Sequence, residues 1–81
     1  MTGDFVVYEV CVGPRYLFST LEVARQYALM MLRVIAYGSY KNDLQARNDI
    51  EKWDGRCSTL CGGHMHLDTR TVVSHPLHVR H

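Results

Sequence analysis

Arg56-Cys57-Ser58-Thr59-Leu60-Cys61-Gly62-Gly63-His64-Met65-His66-Leu67-Asp68 is the stretch on which the fold turns. A Gly-Gly pair between two short alternating runs reads as a β-hairpin loop, because glycine takes positive φ without steric cost. Turning the chain at Gly62-Gly63 sets Cys61 opposite His64, Leu60 opposite Met65, Thr59 opposite His66 and Cys57 opposite Asp68. Side chains alternate along a strand, so Leu60, Met65 and Leu67 share one face, and Cys57, Thr59, Cys61, His64, His66 and Asp68 share the other. The first face has to pack on something, and the second collects thiols, imidazoles and a carboxylate.

The residues on either side supply the rest of the layout. Phe5 to Val12 is rich in β-branched and aromatic residues and apolar on both faces apart from Glu9, which predicts a central strand. Gly13-Pro14-Arg15 turns the chain, and Tyr16-Leu17-Phe18 returns beside it. Ser19-Thr20-Leu21-Glu22 has the form of a capping box, with Phe18 and Val23 placed as a hydrophobic staple. The first helix is expected to run from there to about Tyr37 and to stop at Gly38. Leu21, Ala24, Ala28, Met31, Leu32 and Ile35 make its apolar face, and the end of the helix is apolar around most of its circumference, so it calls for cover from a second helix or a second subunit. Asn42-Asp43-Leu44-Gln45 reads as a second helix start, with Ala46, Ile50 and Trp53 on one face and Asp54-Gly55 as the stop. Thr69 to Ser74 prolongs the last strand, Pro76 ends it, and residues 75–81 are expected to be a frayed tail. The order ββααββ predicts an α+β domain over residues 1–81: a small antiparallel sheet packed by one long helix, with a second, shorter helix. Pattern alone leaves open whether the two hairpins form one sheet.

Composition narrows the function classes. The 81 residues are 47% hydrophobic, enough for one small globular core and too apolar for a disordered tail. Nine Lys and Arg against eight Asp and Glu give a net charge of +1, so no broad field gathers phosphates and direct nucleic-acid binding is disfavoured. Three cysteines, with no apolar segment behind a basic start, fit a reduced cytoplasmic compartment. The longest apolar run, Tyr27 to Tyr37, contains Arg33 and falls short of the ~20 residues of a membrane span.

Four chemistries compete for the polar residues. A zinc ion would take Cys61, His64 and His66, with Cys57 or Asp68 as the fourth ligand. On a flat strand Cys57 and Cys61 stand about 13 Å apart, so both can bind one ion only if the chain between them turns. The competing reading is a half-polar strand face with one buried thiol. A Cys61–His64 nucleophile and base, with Asp68 nearby, would need a cleft that a small sheet rarely offers. An RNase-type toxin would draw on Arg56, His64, His66 and Arg70. Last, Tyr40 and Trp53 among the acidic residues Asp43, Asp49, Glu51 and Asp54 would suit a docking surface for a basic channel, although both rings also suit the core, Trp53 especially. Cys11, inside an apolar strand, is expected to be a core thiol, and Met30, Met31 and Met65 core filler.

In size and layout, through the hairpin Phe5 to Phe18 followed by the helix Thr20 to Tyr37, the chain resembles the small phage-encoded inhibitors of bacterial defence, such as anti-CRISPR proteins. The likeness is one of general character, and no functional residue carries over. It implies a non-enzymatic protein in the cytoplasm of a bacterial host, monomeric or a homodimer. Such a protein would bind a host effector complex and block its access to nucleic acid or its recruitment of a nuclease. A zinc-stabilised Cys/His domain and a small RNase toxin are the alternatives.

Overall fold

Alternation along the first strand decides which side of the sheet the helices cover. In the computed structural model, which describes residues 4–35 and 40–73 with the side chains of 40–42 and 73 excepted, β1 is Asp4–Cys11 and β2 is Arg15–Phe18. They are followed by α1 (Leu21–Ile35), α2 (Tyr40–Glu51), β3 (Ser58–Leu60) and β4 (Met65–Val73). The two hairpins do join. β1 pairs antiparallel with β4 over eight residues, from Asp4 opposite Val73 to Cys11 opposite His66, giving one four-stranded sheet in the order β2-β1-β4-β3. β1 is thus central, as its two apolar faces predicted.

Tyr8, Val10 and Val12 of the β1 segment point to the helices, with Val10 fully buried. Met65 and Leu67 of β4 lie beside it at zero exposure, and Tyr16 and Phe18 of β2 pack on Tyr27 of α1 at ring-centroid distances of 4.9 and 5.1 Å. α1 meets the sheet with Ala24, Ala28 and Leu32, whose spacing forms one stripe and whose two small members let the helix lie close. α2 brings Ala46 and Ile50 to the same core, and Trp53 follows just past its end. Gly55, at φ 104°, turns the chain back toward β3, and its carbonyl accepts a hydrogen bond from the Thr69 hydroxyl.

Both helix starts differ from the expected ones. Thr20, not Ser19, caps α1: its Oγ1 accepts from the Val23 N–H at 3.3 Å and its carbonyl from the Ala24 N–H. With the cap at Thr20 the staple positions shift to Ser19 and Ala24, and Val23 of the expected staple is 48% exposed. α2 begins at Tyr40, ahead of the expected Asn42 cap. The end of α1 lies at Ile35 as described; Tyr37, Gly38 and the 75–81 tail are outside the described residues. α2 covers part of α1, yet Met30 and Val34 keep 53% and 67% exposure, so among the described residues the apolar end of the helix is only partly covered.

Candidate functional site

The outer face of the sheet, turned away from both helices, holds the chemistry. Phe5, Val7, Glu9 and Cys11 of β1 alternate with the core residues and point outward, beside Arg15 and Leu17 of β2 and His66, Asp68, Arg70 and Val72 of β4. Among the described residues no helix crosses this face.

The second hairpin has the register its sequence predicted. Leu60 pairs with Met65, Thr59 with His66 and Ser58 with Leu67, and the His64 N–H donates to the Cys61 carbonyl at 3.1 Å across Gly62 (φ 62°, ψ 28°) and Gly63 (φ 96°). Two consecutive positive φ angles are the mark of a type I′ hairpin turn. Cys61 departs from the reading. It sits at φ 57°, and this left-handed backbone breaks the strand alternation and swings its thiol into the core, where it is 4% exposed. Cys61 and His64 therefore do not share a face as the alternation predicted: one is buried and the other is exposed on the turn, and the ligand cluster among the described residues includes neither. Burial pushes the Cys61 thiol above its ordinary pKa, and the charge of Asp43 pushes it the same way.

Cys57, His66 and Asp68 do come together. Cys57 Sγ lies 3.7 Å from His66 Nε2, His66 Nδ1 lies 3.2 Å from Thr59 Oγ1, and the Cys57, His66 and Asp68 ligand atoms all fall within 4.8 Å of one another. Cross-strand pairing makes this possible, since residues 66 and 68 share a face of β4 and Cys57 is carried in just ahead of β3. Asp68 Oδ1 accepts from the Thr69 N–H at 2.8 Å, which orients the carboxylate.

Beside this cluster lies a feature that sequence reading noted only as the one polar residue of an apolar strand. Glu9 is 5% exposed, and its Oε2 receives both Arg15 Nε at 2.8 Å and Arg70 Nη1 at 3.3 Å. The two arginines come from opposite neighbours of β1, so strand order had to be known before the triad was visible. Arg70, a candidate RNA-gripping base, is thus engaged with Glu9, which it shares with Arg15, and exposed Arg56 pairs with Asp54 at 3.4 Å.

The expected acidic docking surface on α2 is dispersed. Trp53 is 3% exposed, its Nε1 donating to the Arg56 carbonyl at 2.7 Å, so it belongs to the core and not to an interface. Asp43 is half-buried, and its Oδ1 has no hydrogen-bond partner among the described residues. Asp49 borders a groove with Lys52, Asp54 and Arg56, whereas Glu51 borders another with Leu44, Arg47 and Asn48. The Tyr40 side chain lies outside the described residues.

What the geometry defines is an α+β two-layer protein with one sheet face that no helix crosses among the described residues. Compared with known proteins, the chain matches no family model, no curated protein and no solved structure. Among the described residues no helix is long and apolar enough to cross a membrane.

The three free thiols should react in the order of their exposure. A thiol-specific reagent, with sites mapped by mass spectrometry, is expected to modify exposed Cys57 first, half-exposed Cys11 later, and Cys61 only as the chain unfolds. Because the native state holds Cys61 in its neutral form, its contribution to stability persists below the ordinary thiol pKa and fades as pH rises past it, where the unfolded thiol ionises first. Labelling of Cys61 in the native protein as fast as Cys57 would contradict the burial.

Proposed function

We propose that this is a non-enzymatic binding protein that docks on a protein partner through the outer face of its sheet. The observation that carries this reading is the apolar strip on that face. Phe5 and Leu17 are 50% and 49% exposed on either side of buried Val7, and Leu17 lies opposite Glu9 in the β1–β2 register. A strip of this kind bordered by the Glu9–Arg15–Arg70 network has the pattern of an apolar interface centre with a polar rim. The reading shifts docking from the acidic positions of α2 to the sheet. Resemblance in size and layout to phage-encoded defence inhibitors makes an effector complex of bacterial immunity the first partner to test, with blockage of nucleic-acid access or nuclease recruitment as the outcome of docking.

A double variant, Phe5→Ser with Leu17→Ser, separates docking from folding. Each site is about half exposed, and substitutions at such positions usually move stability by roughly half a kcal/mol or little more, so the melting temperature should stay near that of the parent. Retention of purified effector complexes on immobilised protein should fall at least tenfold. Asp49→Lys with Glu51→Lys should leave retention unchanged. If the α2 reversal abolishes retention while the sheet variant keeps it, docking returns to the helix. Retention of no effector complex by the parent protein removes the defence-inhibitor reading.

A further inference from the structure

We propose that Cys57, His66 and Asp68 form a zinc site with one open coordination position. This rests on side-chain geometry independent of the docking reading. A tetrahedral zinc ion with Zn–S near 2.3 Å and Zn–N near 2.0–2.1 Å holds its sulfur and nitrogen ligands about 3.6 Å apart. Cys57 Sγ and His66 Nε2 already stand 3.7 Å apart, and the ligand atom of Asp68 is within 4.8 Å of both. Closing the set takes side-chain rotation of an ångström or so, with no movement of the β3–β4 ladder.

The imidazole is set up for this role by its other nitrogen. His66 Nδ1 is 3.2 Å from the Thr59 hydroxyl, and an Nδ1–H that donates to that oxygen leaves the Nε2 lone pair free on the Cys57 side. Asp68 is held likewise: Oδ1 accepts from the Thr69 N–H, which fixes the carboxylate, and the second oxygen has no hydrogen-bond partner among the described residues. A thiolate, an imidazole and a carboxylate together favour zinc over magnesium or calcium, which take oxygen ligands alone. As the Zn–S bond forms, the Cys57 thiol releases its proton to solvent, and water completes the fourth position. The ion would pin the segment ahead of β3, a three-residue edge strand, to the N-terminal half of β4.

Cobalt titration of the untagged full-length protein tests the site, because thiolate ligation gives a ligand-to-metal charge-transfer band that imidazoles do not. One cobalt per chain should bind with that band and be displaced by one zinc. Cys57→Ser should abolish the band, whereas Cys11→Ser and Cys61→Ser should keep it. Thr59→Val, which removes the partner of Nδ1, should weaken zinc binding by about tenfold to a hundredfold. If Cys57→Ser fails to fold, Asp68→Asn takes its place and should weaken binding at least tenfold. Cobalt bound without the band would belong to His75, His78 and His81, and would overturn the proposal. So would a band that survives Cys57→Ser, or an affinity unmoved by Asp68→Asn.

Discussion

Trp53→Ala is expected to cost about 3–5 kcal/mol, the usual range for removing a buried large aromatic side chain. A chain of this length has only about 4–12 kcal/mol of stability in total, so the variant should be largely unfolded or close to it. Three contacts meet at this residue. The indole stands edge-on to Tyr8 at 6.1 Å, its Nε1 donates to the Arg56 carbonyl at 2.7 Å, and its own carbonyl accepts from Arg25 Nε at 2.7 Å. It therefore ties the end of α2 to the central strand and to α1 at once. The Arg25 bond uses the backbone and survives substitution, so the loss comes from the cavity and from the ring contact. Trp53→Phe keeps most of the ring volume and gives up the Nε1 bond, and should cost only about 1–2 kcal/mol. Urea unfolding followed by far-ultraviolet circular dichroism measures both. A Trp53→Ala variant within about 1 kcal/mol of the parent would show that the ring is not part of the core.

The contrast between Trp53 and Cys61 shows where sequence reading succeeds. Ala46, Ile50 and Trp53 recur on a helical face, and all three are buried, because periodicity is a local property that the sequence displays directly. The β3–β4 register was legible for the same reason: two glycines fix the turn, and a period of two sorts the faces. Cys61 was misplaced because one left-handed residue undoes that period, and nothing in a cysteine announces it. The cluster of Cys57, His66 and Asp68 was half legible, since cross-strand pairing followed from the turn, while the inclusion of Cys61 and His64 followed from the alternation that fails. Glu9 was beyond reach. Its two arginines lie on β2 and β4, and only the long-range β1–β4 pairing brings Arg70 to it.

Glu9→Lys should be nearly as damaging as the loss of Trp53, at about 3 kcal/mol, the lower end of what an uncompensated buried charge costs. The wild-type carboxylate is 5% exposed, with both arginines on a single oxygen, so a lysine there puts a third cation against two. The lower end applies because Arg15 and Arg70 are 58% and 47% exposed and can turn toward water, and because a lysine stem can carry its charge partly out. Glu9→Met should be close to neutral, since replacing a buried ion network by an apolar side chain of similar size removes the desolvation cost together with the attraction. The pair Glu9→Lys with Arg70→Glu restores an attraction across the β1–β4 ladder and should recover part of the loss, which a double-mutant cycle isolates. Urea midpoints of these variants and of Arg70→Glu, which completes the cycle, decide the matter: equal midpoints for Glu9→Lys and the parent would mean that Glu9 is free to reach water. A drop confined to Glu9→Lys would instead show that the site rejects a third cation and tolerates an apolar side chain, so that Phe5 and Leu17 keep a packed strand beneath them as a rigid surface for docking. Rigidity matters there because a preformed apolar strip loses little side-chain entropy on binding, so its modest area can still give useful affinity.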